Sequence, residues 1–129
     1  MKKTIMKKWV TALRSGEYEQ TSGSLVSINN EGERFCCMGV LCNLATEDGY
    51  GEWDGYVFKD EKGLNSNSWL PPGVIKWAGM KSESGEFESS DKDCGVSPEG
   101  YSKTLVGLND AHTPFTELAD IIEANYKDL

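Results

Sequence analysis

The chain has 129 residues, of which 38 % are hydrophobic and 26 % charged, with a net charge of −8. That length closes one hydrophobic core without disulfides or metal, and the composition is globular rather than disordered. The acidic balance excludes broad electrostatic binding to a nucleic-acid backbone, and no run approaches the roughly 20 apolar residues of a membrane helix.

Met1 to Lys8 carries cations but no apolar region behind them, so it is not read as a secretory leader. Ile5, Trp9, Ala12 and Leu13 instead recur on one helical face, predicting a helix over 4–15 with Thr4 as cap and Gly16 as stop. Lys3, Lys7 and Arg14 fall on its solvated side. Ser24 to Ile28 reads as a strand, Asn29-Asn30-Glu31-Gly32 as a turn, and Glu33-Arg34-Phe35 as the returning strand.

Cys36 to Thr46 is apolar nearly all round and predicts a buried central helix. Gly39 inside it costs about 1 kcal/mol relative to Ala, which suits a place where another backbone crosses closely. Trp53 to Phe58 reads as one strand, with Asp60-Glu61-Lys62-Gly63 as its turn and a short strand near Leu64. Pro72 to Trp77 predicts a short helix closed by Gly79. Residues 81–100, rich in Ser, Gly and acid, read as a surface excursion. Tyr101 to Asn109 gives a helical turn or two. The last helix is expected to be capped by Thr113, with Pro114 in its first turn and Phe115, Leu118, Ile121 and Ile122 as its stripe. The sum is one α+β domain over 1–129, a small antiparallel sheet packed with about five helices.

Four cysteines, Cys36, Cys37, Cys42 and Cys94, show no C-x-x-C pair, and on a helix Cys37 and Cys42 stand about 140° apart. Free structural thiols are therefore expected, with no metal and no cofactor. The arginines are Arg14 and Arg34, the first candidates for any anion pocket.

The segments Trp9-x-x-Ala12-Leu13-Arg14-Ser15-Gly16-Glu17-Tyr18, Phe35-Cys36-Cys37-Met38-Gly39-Val40-Leu41-Cys42, Leu70-Pro71-Pro72, Trp77-Ala78-Gly79, Leu108-Asn109-Asp110 and Phe115 with Ala119-Asp120-Ile121-Ile122-Glu123 are spread along most of the chain. In these the chain resembles a widespread family of small accessory proteins encoded by tailed bacteriophages. That family looks like the phage anti-CBASS sponges, which sequester the cyclic nucleotides made by bacterial immune enzymes. Met38 departs from the expected Leu, a swap of similar volume, and the stretch 81–100 is longer than the pattern.

The resemblance implies a non-catalytic binder of a small anionic ligand, a cyclic nucleotide, in the host bacterial cytoplasm. Its partners would include no double-stranded nucleic acid and no membrane, with self-association left open. A sponge needs stacking surfaces and phosphate donors. Trp53, Tyr56, Trp69, Tyr18 and Tyr101 can stack on bases, and Arg14 and Arg34 can grip phosphate. The helix after Arg34-Phe35 offers free N–H groups as an anion seat. The expected ligand site is thus Arg14, Arg34, Cys36, Cys37, Trp53, Trp69, Asn109 and Asp110. Two other readings compete. One is a protein inhibitor that plugs a host enzyme with an acidic surface. The other is a cysteine hydrolase with Cys36 or Cys37 as nucleophile, His112 as base, and Asp110 or Asn109 orienting it.

Overall fold

A computed structural model describes residues 1–87 and 103–129. Helix α1 (Lys3–Arg14) buries Ile5, Met6, Trp9, Val10 and Leu13 and packs mainly along α5 (Phe115–Asn125). Helix α2 (Cys37–Glu47) lies between α1, α3 (Pro72–Ala78) and α4 (Leu105–Asp110), where Cys37, Met38, Val40, Leu41, Cys42 and Ala45 are wholly buried. The architecture is α+β, as the patterning predicts.

Strand β1 (Glu19–Gln20) pairs in parallel with β3 (Gly32–Phe35), which pairs antiparallel with β2 (Val26–Asn29). The two-residue parallel pairing was not expected; the rest of the strand pairing is antiparallel. A second sheet is a meander of β4 (Gly51–Asp54), β5 (Val57–Asp60) and β6 (Asn65–Ser66). A third joins β7 (Glu86–Phe87) to β8 (Lys103–Thr104). Within the expected excursion 81–100, Phe87 returns to the core, and the stretch from residue 88 onward lies outside the described residues.

Gly39 does what its cost implies. A Cβ there would run into the carbonyl oxygen of Leu25, and that same carbonyl accepts the Cys36 N–H at 3.1 Å. The loop leading into β2 therefore lies directly on the first turn of α2.

Three local expectations fail for identifiable reasons. Trp53 to Phe58 is a hairpin rather than one strand. Gly55 takes φ +59° at the first of two loop positions, so Trp53 faces Phe58 across the ladder with ring centroids 5.0 Å apart. Glycine at the first position of a two-residue loop, here Gly55-Tyr56, is itself a hairpin signal. Thr4 does not cap α1: Lys2 holds the N-cap position, its N–H donating to the Ala78 carbonyl at 2.8 Å. Thr113 does not cap α5 either. Pro114 is the extended N-cap residue, and the Thr113 carbonyl instead accepts from Gln20 Nε2 at 2.7 Å.

Candidate functional site

The Phe-Cys-Cys segment reaches its functional surroundings through the start of α2. Cys36 is the N-cap residue in extended conformation, and its Sγ accepts the Gly39 N–H at 3.3 Å. Cys37 donates its N–H to Asn109 Oδ1 at 3.1 Å and accepts the Trp9 indole N–H on its carbonyl at 2.9 Å. Asn109, on α4 and 1 % exposed, also accepts from Gln20 Nε2 at 2.9 Å and donates to the Thr21 carbonyl at 2.8 Å. Two of the donors expected to seat an anion are thus taken by Cys36 and Asn109. The helix end is closed by the protein's own side chains.

Beside this closure lies a cavity of about 170 Å³. It is lined by Cys36 at the N-cap of α2, Val106 and Asp110 of α4, Gly23 and Ser24 before β2, and Ser68 and Trp69 after β6. The Leu25 carbonyl over Gly39 brings the Gly23 loop here, and the meander ending at Ser66 brings Trp69. Asp110 accepts the Gly23 N–H at 3.0 Å, and Gly23 tolerates the φ of +82° this turn requires. Trp69 is fixed through its N–H to Ser66 Oγ at 2.9 Å, while its side chain is 54 % exposed. Among the described residues Asp110 is the one charged member of this lining.

Burial, followed by the field of Asp110 among smaller contributions, pushes the Cys36 thiol up to about 11, against backbone hydrogen bonds that pull it down. Burial raises Cys37 and Cys42 well above the ordinary thiol value too. These three cysteines are free, buried and poorly ionised, the opposite of an activated nucleophile. His112 is exposed in the turn between α4 and α5, held at φ +68°. Among the described residues no hydrogen bond joins it to a thiol.

The expected site therefore divides. Cys36, Trp69 and Asp110 share one cavity, with Asn109 and Cys37 bonded behind it. Arg14 is elsewhere, bridging α1 to α5 through Asp120 at 2.6 Å and Glu123 at 3.2 Å. Arg34 is held on the sheet surface by Glu19 at 3.4 Å and Glu31 at 3.2 Å. Neither arginine lines the cavity, because each has nearer acidic partners. Trp53 is structural: it packs edge-on against Phe35 and Phe58 and donates to Asn43 Oδ1 at 3.1 Å. Tyr18 accepts from the other end of the Asn43 amide at 2.9 Å. Tyr56 is exposed at the hairpin tip, and Tyr101 and Cys94 lie outside the described residues.

Gly23, Ser24, Ser68 and Val106 were not singled out from the sequence, and only the fold gathers them. Among the described residues, no group of three His, Cys, Asp or Glu side chains is placed to hold a metal ion. A second cavity of about 240 Å³, near Gly51, Glu52 and Glu61, contains Asp60, whose carboxylate is already engaged by the N–H groups of Lys62, Leu64 and Gly73. Among the described residues no helix is long and apolar enough to cross a membrane.

A family model described as Domain of unknown function (DUF8296) matches residues 1–126. Searches of curated proteins and of solved structures found no match.

Proposed function

The chain belongs to the DUF8296 family, whose description carries no activity to transfer, and from the site itself we propose a non-catalytic binding protein. On this reading it sequesters a cyclic-nucleotide immune signal in the cytoplasm of a host bacterium, as the phage resemblance implies. The observation that carries it is the cavity where exposed Trp69 stands with Asp110 and Cys36. An open indole offers a stacking face, worth about 1–3 kcal/mol per base. The Cys36 and Cys37 thiols, kept protonated by burial, are poor nucleophiles toward anything bound beside them.

The test is incubation with a panel of cyclic di- and trinucleotides, followed by native mass spectrometry before and after heat release. Binding and intact release support sequestration. Ligand consumption points to an enzyme, and no binding across the panel overturns the reading. A second reading, a protein inhibitor with an acidic face, draws on Ile28, Tyr56, Leu64 and Trp69, large apolar side chains left exposed on a chain of net charge −8. That reading expects a host enzyme to be inhibited with nucleotides absent.

A further inference from the structure

We infer that the Trp69 cavity selects a guanine-like base by its donor edge and does not hold the ligand by its phosphates. The inference rests on the sequestration reading and names what that site recognises.

The charge of the lining carries the argument. Among the described residues Asp110 is its one ionisable carboxylate and no lysine or arginine lines it, and both arginines of the chain are occupied by acids elsewhere. The field of Asp110 reaches Cys36, where it opposes a second negative charge. A phosphate entering this cavity would meet the same opposition without a compensating cation. What a carboxylate beside an aromatic face does accept is a flat group with N–H donors on its rim. Guanine presents two adjacent donors, N1–H and the 2-amino group, and a carboxylate can take both on its oxygens.

The surroundings favour a base over a simple ammonium ion. Cation recognition through aromatic rings relies on a cage of several faces, whereas among the described residues a single tryptophan lines this cavity. One face with in-plane acceptors suits stacking and edge recognition together. Ser24 and Ser68 also line the cavity; their hydroxyls donate to the Val26 carbonyl and to Asn67 Oδ1, each at 3.1 Å, which leaves the two oxygens as further acceptors for a donor edge. Asp110 is also held in place: its tie to the Gly23 N–H anchors the carboxylate before any ligand arrives. Such pre-positioning lowers the ordering cost of binding.

The experiment is calorimetric titration of the whole chain with the cyclic dinucleotides of guanine, hypoxanthine, adenine and uracil, with inorganic pyrophosphate as competitor. Guanine is expected to bind tightest. Hypoxanthine, lacking the 2-amino group, should bind about ten-fold more weakly, and adenine about ten- to a hundred-fold more weakly. Pyrophosphate should displace none of them. Asp110→Asn keeps an acceptor for Gly23 but removes the charge, and should erase the guanine preference at an unchanged melting temperature. Equal affinity for guanine and adenine, or displacement by pyrophosphate, overturns the inference while sequestration stands. If no nucleotide binds, both fall.

Discussion

Asn109 closes the start of α2 by accepting the Cys37 N–H on its side-chain oxygen, and the same side chain ties Gln20 and Thr21 to that point. One buried amide thus joins the first sheet, the central helix and α4. The cavity beside it depends on that junction, since its neighbour Asp110 and the Gly23 loop are positioned by the same elements.

Asn109→Ala should be among the most damaging single changes. It leaves a buried N–H at Cys37 and a carbonyl at Thr21 without their partner, each worth about 1–3 kcal/mol. Urea denaturation should show a loss of about 2–4 kcal/mol in stability. A loss below about 0.5 kcal/mol, the level of an ordinary surface change, would refute the junction.

Gly39→Ala should destabilise although alanine is the better helix former. The helix gains about 1 kcal/mol from the exchange. Against this, the new methyl meets the Leu25 carbonyl, a backbone atom that cannot rotate away. A net loss of about 2 kcal/mol or more is expected by chemical denaturation.

Alkaline pH should weaken the fold through the buried thiols. The Cys36 thiol sits at about 11 when folded against an ordinary 9.0, so the folded state holds its proton longer. Its contribution is complete below the ordinary value and is lost as pH rises toward the folded one. Urea midpoints should fall across that window. Cys36→Ser should shrink the fall while keeping the cap, because serine is a preferred N-cap residue.

Trp69→Ala and Arg34→Ala should separate cleanly in a binding assay. Trp69 is exposed, so its removal should move stability by less than about 0.5 kcal/mol yet weaken nucleotide binding about ten- to a hundred-fold. Arg34→Ala removes the ion pairs to Glu19 and Glu31 on the sheet surface, away from the cavity, and should leave affinity where it was. Comparable losses from both would place the ligand on the Arg34 surface instead.

The elements that bury a periodic apolar face were legible: α1 through Ile5, Trp9 and Leu13, α2 through its continuous apolar run, and α5 through Phe115, Leu118 and Ile122. The Gly55-Tyr56 hairpin was legible in principle and missed, because alternation across residues 53–58 looks alike for a strand and a tight hairpin. Cap residues misled for another reason. Thr4 and Thr113 carry suitable side chains, but the chain at each helix start is held by a distant segment, through the Lys2 N–H to the Ala78 carbonyl and through Gln20 Nε2 to the Thr113 carbonyl. The arginines show the limit of composition: a scarce cation in an acidic chain finds a surface acid before it finds a ligand. Cys36, Trp69 and Asp110 were each nameable from sequence. Their meeting depends on the Leu25 crossing over Gly39, a tertiary contact that no local pattern contains.

The uneven burial of the tryptophans gives this protein its own optical readout. Trp9 is wholly enclosed, its indole N–H bonded to the Cys37 carbonyl, so its emission lies toward the blue and shifts when the core opens. Trp69 stands half in water at the cavity, so it emits toward the red and is the indole that a stacked base would quench. Occupancy should therefore lower the red edge of the fluorescence spectrum alone, whereas unfolding should lower the blue edge and raise the red. A single titration, read at the two edges, can follow a ligand arriving without confusing it with the fold coming apart.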